Sequence, residues 1–189
     1  MFIVALRNLI CIFGLIFISP ILIIVAIAIF FEDGFPIFFS QRRIGKNLNI
    51  FKIYKIRTMK LETPESGTHN INKKFILKTG FFARKLKLDE FPQLINVIKG
   101  ELNLIGPRPG LENQLELKEC RMKRNIFETT PGITGLAQVT GYDMSDPEKL
   151  SRIDKYYIEN RSLKINFQIF LATFFKSMRA NLVKKVYEI

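Results

Sequence analysis

Apolar residues run almost unbroken from Leu9 to Phe31, interrupted only by Gly14, Ser19 and Pro20 and carrying no charge. A helix needs about 20 such residues to cross a bilayer, so the length permits a span. Ser19-Pro20 lies at the centre, where the proline removes a helix hydrogen bond and crowds the preceding turn. A kink is expected there. Each arm of about 10 residues then makes roughly 15 Å of helix, which reaches mid-bilayer but not the far side. The Ser19 hydroxyl is placed to bond a carbonyl freed by the proline, which is how such breaks are tolerated in lipid. Three readings stay open on the residues alone: a kinked span, a re-entrant hairpin returning to one face, and a signal peptide cleaved after Ala26-Ile27-Ala28. The long apolar run and a leading basic region of Arg7 alone count against cleavage.

Beyond Gly34 the periods shorten. Pro36 to Phe39 reads as a short apolar strand, and Asn49 to Arg57 sets Phe51 and Ile53 against Lys52, Lys55 and Arg57. The turn-like Ile44-Gly45-Lys46-Asn47 between them predicts a β-hairpin. Leu61 to Asn72 is polar, holds Pro64 and Gly67, and reads as an exposed loop around His69. Helices are predicted over 73–87, 89–99, 111–127, 147–160 and 163–186, with turns at Gly106-Pro-Arg-Pro-Gly110 and Pro131-Gly-Ile-Thr-Gly135. In the last helix Phe170, Phe174, Met178, Leu182 and Val186 recur every fourth residue, while Lys176, Arg179, Lys184 and Lys185 take other faces or the end. That stripe fits core packing or an amphipathic helix in a membrane interface. The pattern is mixed α/β, mainly helical, with a short hairpin.

Composition narrows the function. The 189 residues carry 29 basic and 17 acidic side chains for a net charge of +12, and 48% are hydrophobic. Two cysteines exclude a disulfide scaffold, and one histidine excludes a His-rich metal site and makes a Ser-His-Asp triad unlikely. Cys11 and Cys120 read as ordinary thiols of a reducing compartment. Residues 1–33 hold only Arg7, Glu32 and Asp33 among charged groups, so the remainder is strongly basic. Such a body favours the cytoplasmic side, where anionic head groups attract it. Nucleic acid is disfavoured beside a membrane segment with no nucleic-acid motif.

Between Asp33 and Glu62 stand seven cations and no acid: Arg42, Arg43, Lys46, Lys52, Lys55, Arg57 and Lys60. Lys73 to Lys87 adds six more: Lys73, Lys74, Lys78, Arg84, Lys85 and Lys87. The bland reading is a solvated face; the functional one is a phosphate-bearing substrate or lipid. Asp89 and Glu90 follow directly, then Phe91-Pro92. Asp89 suits a helix N-cap and Pro92 a first turn. A carboxylate pair beside so many cations also suits phosphoryl chemistry. Adjacent helical residues diverge by about 100°, so one nucleophile and one metal ligand fit better than a pair sharing a proton.

Four passages taken in order resemble the monotopic phosphoglycosyl transferases, or bacterial sugar transferases. They are Gly34 to Gly45, Phe51 to Met59, Leu88 to Pro109 and Pro131 to Gly141, with Asp154 to Asn160 extending the match. The resemblance covers nearly the whole chain, and the length resembles minimal members that lack additional amino-terminal spans. It implies a monotopic membrane protein: a re-entrant helix-break-helix over 1–33, broken at Ser19-Pro20, and a catalytic domain over 34–189 with interfacial amphipathic helices. It further implies transfer of a sugar-1-phosphate from a UDP-sugar to a polyprenol phosphate such as undecaprenyl phosphate. This starts a surface glycan at the cytoplasmic face of the bacterial inner membrane and hands the product to downstream glycosyltransferases. By the resemblance Asp89 is the nucleophile that forms an aspartyl phospho-sugar, Glu90 binds Mg²⁺, and Arg84 and Arg108 contact phosphate, joined less directly by Lys55 and Arg57. The alternative is an altered member acting as a basic membrane-surface adaptor. Three positions depart from the family pattern: Asn8 where an acid commonly follows the early basic residue, Tyr142 where many members carry Arg, and Asn166 where Asp is frequent.

Overall fold

The computed structural model describes residues 2–63 and 73–187; most of the predicted polar loop, with His69, lies outside the described residues. Two compact units are built from interleaved segments, Met1–Gln41 with Ile53–Ile98, and Arg42–Lys52 with Lys99–Ile189. The apolar helix belongs to the first unit.

That helix, α1 (Phe2–Asp33), runs through Pro20 without a break in its assignment. Pro20 has no N–H for the Ile16 carbonyl four residues back, and the Ser19 hydroxyl takes it instead at 2.8 Å. Most of α1 is bare: Phe13, Ile16, Phe17, Ile24 and Phe31 are all exposed. Such a surface needs an apolar solvent, and α1 is long and apolar enough to cross a membrane. One narrow stripe is covered. Cys11 and Ile29 are buried, and Ile29 packs with Ile37, Ile56 and Leu77.

The two acids ending α1 each bind another element of the first unit. Glu32 accepts the Lys78 and Thr79 backbone N–H groups at 2.6 and 2.9 Å, capping α2 (Lys78–Lys85). An anion at a helix N-terminus satisfies orphan donors and meets the positive end of the dipole. Asp33 pairs with Arg57, whose other N–H groups go to the Asp33 carbonyl at 3.1 Å and the Gly34 and Pro36 carbonyls at 2.6 Å. Gly80 lets α2 lie against Thr58, since a Cβ there would strike the Thr58 backbone.

The hairpin is present as β1 (Phe38–Ile44) and β2 (Ile50–Ile56), joined through a short 3-10 turn at Lys46–Leu48. The first strand lies further along than the apolar run Pro36 to Phe39 predicted, and includes Arg42 and Arg43. Four helical predictions need correction. Residues 73–87 form a 3-10 turn and then α2; residues 111–127 contain only α4 (Leu115–Met122) and a 3-10 turn. The 89–99 helix is a 3-10 turn, Leu88–Gln93, entered through the left-handed Lys87 and followed by α3 (Leu94–Ile98).

The 163–186 helix breaks at Phe175, giving α7 (Leu163–Phe174) and, after a 3-10 turn, α8 (Ala180–Tyr187). The break splits the four-residue stripe. Phe170, Phe174 and Met178 stay exposed, whereas Leu182 and Val186 enter the core of the second unit. That core joins them to Leu136, Val139, Leu150, Ile153 and Ile169 from α5 (Leu136–Thr140), α6 (Pro147–Asn160) and α7.

A parallel pair absent from the sequence reading, β3 (Asn103–Ile105) with β4 (Gly132–Thr134), stands at the start of the Gly106 to Gly110 turn. A parallel pairing needs a crossover, here supplied by the segment carrying α4. Gly132 makes the close approach possible, since a Cβ would collide with the Gly106 backbone.

Candidate active site

The Asp89-Glu90 pair follows a reversal rather than a cap. Lys87 adopts the left-handed conformation at φ 61°, and Asp89 lies inside the 3-10 turn that begins one residue later. The N-cap reading of Asp89 is therefore corrected: Lys87 holds that position, and no side chain caps it. Neighbouring residues of a 3-10 turn diverge by about 120°, so the two carboxylates point apart more than on an α-helix.

Asp89 is buried, and Glu90 beside it is partly so. Burial, then the Glu90 charge, push the Asp89 carboxyl above its ordinary range, while Lys55, Arg84 and Lys87 pull it back. Lys55 Nζ reaches Glu90 Oε1 at 3.0 Å from strand β2. Arg84 comes from the last turn of α2, where its Nε donates to the Thr58 hydroxyl at 2.8 Å. Burial lowers the Arg84 guanidinium, against the pull of Asp89 and Glu90. Asp89, Glu90, Arg84 and Lys55 thus gather within the first unit.

The remaining predicted residues fall elsewhere. Arg57 is buried and directs its donors at Asp33, Gly34 and Pro36, so it straps the end of α1 to β2. Arg108 belongs to the second unit, on the turn after β3. Ser19 and Pro20 form the local repair at the middle of α1.

Sequence reasoning passed over two supporting residues, Asn96 and Thr58, and named Lys87 only within a cation run. Fully buried Asn96 on α3 accepts the Tyr54 backbone N–H at 3.3 Å, fixing β2 one residue before Lys55. Thr58 orients Arg84, and Lys87 adds charge beside Asp89. A lone amide among Leu94, Ile95, Val97 and Ile98 was the available signal for Asn96. The departures also find places. Asn8 accepts from Arg7 at 3.0 Å and donates to the Ile98 carbonyl at 3.4 Å. Asn166 accepts the Tyr157 hydroxyl at 2.9 Å, and Tyr142 packs on the second core.

Among the described residues no group of three or more His, Cys, Asp or Glu is assembled for a metal. Mg²⁺ is commonly held by one or two carboxylates plus substrate phosphates. Glu90, with Asp89 adjacent, is a donor set of that kind.

Residues 3–180 match the family described as bacterial sugar transferase. The chain is 38% identical over 156 residues to an uncharacterized sugar transferase, EpsL, of Bacillus subtilis strain 168, covering 82% of this chain and 77% of that one. It is 35% identical over 188 residues to the exopolysaccharide production protein ExoY of Sinorhizobium fredii, covering 87% and 80%. It is also 35% identical over 173 residues to the UDP-glucose:undecaprenyl-phosphate glucose-1-phosphate transferase of Escherichia coli K12, covering 86% of this chain but 37% of that enzyme. Buried Asp89 beside Glu90 among cations, a bare apolar helix and a match along nearly the whole length agree: the chain belongs to the bacterial sugar transferase family.

Proposed function

We propose that this protein transfers a sugar-1-phosphate from a UDP-sugar to undecaprenyl phosphate, through a covalent intermediate on Asp89. The reading is carried by one observation: buried Asp89 lies beside Glu90 and under the joint pull of Lys55, Arg84 and Lys87. An Asp89 oxygen attacks the phosphorus that bears the sugar, forming an acyl-phosphate bond as the bond to UMP breaks and its electron pair leaves with UMP. A phosphate oxygen of undecaprenyl phosphate then attacks the same phosphorus. The Asp89 carboxylate is released, and undecaprenyl-diphosphate-sugar forms.

Burial raises the cost of the charged Asp89, and the three cations offset part of that cost. In this reading Arg84, steadied by Thr58, contacts the transferring phosphoryl group. Arg108 is assigned to a donor phosphate on the resemblance, and Arg57 is given a strap's role. Glu90, with Asp89 adjacent, would hold Mg²⁺. When bound, the ion neutralises diphosphate charge and stabilises the departing nucleotide.

Re-entry of α1 from the cytoplasmic face of the inner membrane completes the proposal, with the exposed Phe170, Phe174 and Met178 face meeting the interface. The starting step of an exopolysaccharide or other surface glycan fits this placement. UMP release by detergent-solubilised protein tests it, using a panel of UDP-sugars with undecaprenyl phosphate and Mg²⁺. Release by wild type that Asp89→Asn abolishes supports the reading; an equal rate in Asp89→Asn removes the nucleophile. Absence of release from every donor, with vesicle binding intact, returns the basic-adaptor alternative.

A further inference from the structure

Four consecutive carbonyls of the Gly106 to Gly110 turn are each held by a different donor of the second unit. Pro107 O accepts from Gly132 N–H at 2.9 Å, and Gly110 O accepts from Ile44 N–H at 3.0 Å. Between them, Arg108 O accepts from Arg121 Nη1 at 2.8 Å and Pro109 O from Arg43 Nη1 at 3.2 Å. Pro107 and Pro109 have no N–H to anchor the turn, so its position depends on these carbonyls.

Arg121 reaches the turn while bound in a buried ion pair. It projects from α4 into the interior at 2% exposure, and Asp154 of α6 meets it there at 3%. Its Nε and Nη2 donate to the same Asp154 oxygen at 3.1 and 2.6 Å. Joining α4 to α6 needs no ion pair, since packed apolar side chains would serve as well. An apolar pair would leave Nη1 unreplaced, and that nitrogen donates to the Arg108 carbonyl. A planar fork held on one side presents its remaining donor in a fixed direction.

We propose that Arg121 is a positioning residue for Arg108, oriented in turn by Asp154, and that this relay sets where the Arg108 guanidinium meets an anionic nucleotide diphosphate. The inference rests on the reading of Arg108 as a phosphate contact.

The test is a double-mutant cycle on the full-length protein in detergent, with UDP and Mg²⁺ as the probe and calorimetric Kd and thermal midpoint as readouts. Its arms are wild type, Arg108→Ala, the pair Arg121→Met with Asp154→Leu, and all three together. The apolar pair keeps the packing and leaves no buried charge, so its thermal midpoint is expected to stay near wild type. UDP binding is expected to weaken about tenfold or more in that pair and in Arg108→Ala, with no further loss when all three are combined. Arg121→Lys supplies a second route if the pair misfolds, because it keeps the charge opposite Asp154 but lacks the fork. The same loss is expected, again only when Arg108 is present.

Wild-type affinity in the folded pair, beside a weakened Arg108→Ala, overturns the relay and leaves Arg108 as a phosphate contact. An equal loss in both backgrounds shows that the ion pair acts independently of Arg108 and overturns the relay too. UDP affinity unchanged in Arg108→Ala, or undetectable in wild type, removes the Arg108 reading and the relay with it.

Discussion

Lys55 and Glu90 meet at 3.0 Å with both side chains largely sheltered from solvent, 15% and 16% exposed. The ammonium occupies the carboxylate proposed to hold Mg²⁺ and also supports the charge on Asp89. Its removal should therefore separate two effects. Lys55→Met is expected to lower kcat by about 10- to 100-fold, since a buried nucleophile loses a stabilising cation. The same change should lower the Mg²⁺ concentration needed for half-maximal activity, because the Lys55 ammonium no longer competes for Glu90 Oε1. A Mg²⁺ titration of both proteins reads the two together; an increased Mg²⁺ requirement would contradict the competition.

Asp89→Asn is expected to reduce turnover by about 10³-fold or more while leaving the fold intact. It should also change how stability depends on pH. Burial and Glu90 raise the Asp89 carboxyl, so the folded protein keeps a proton that the unfolded chain loses near pH 3.9. Stability from this group falls as pH climbs from there through the raised folded value, and the cost persists above it. In EDTA at neutral pH the Asn variant should melt above wild type, with the gap closing on acidification. A wild type that melts higher at neutral pH refutes the sign.

Glu32 caps α2 through two backbone donors from an exposed position. Glu32→Ala is expected to cost about 1 kcal/mol, the usual worth of a lost cap, with little change in kcat. Thermal melts in detergent at two salt concentrations check this, and the deficit should shrink at high salt as the wild-type charge contribution is screened.

Gly80→Ala tests the seat of Arg84. Its new Cβ would strike the Thr58 backbone, and overpacking of this kind costs about 1–3 kcal/mol. Because the Thr58 hydroxyl holds Arg84, activity should fall at temperatures where the variant is still folded. Full activity in the folded variant would show that Thr58 does not set the Arg84 position.

The sequence alone determined what local chemistry can determine. An uncharged run with one proline marked α1, and Ser19 supplied the hydroxyl that bonds the Ile16 carbonyl. Alternating residues marked β2, and two acids after two cation runs marked the candidate site. Helix ends were misjudged where a backbone requirement overrides side-chain periodicity. Residues 88–93 form a 3-10 turn where an α-helix was expected, and the left-handed Lys87 took the cap position from Asp89. Tertiary structure decided the rest, because long-range partners leave no periodic trace. The parallel strands β3 and β4 are three residues each, and the sequence between them shows only turns and a helix. Arg57 stands among other cations in the sequence, and only the fold shows its donors bound to carbonyls some twenty residues earlier in the chain. Arg121 and Asp154 stand 33 residues apart and meet only because α4 and α6 pack together. Burial then makes their pairing obligatory, since neither charge can stay in the interior without the other.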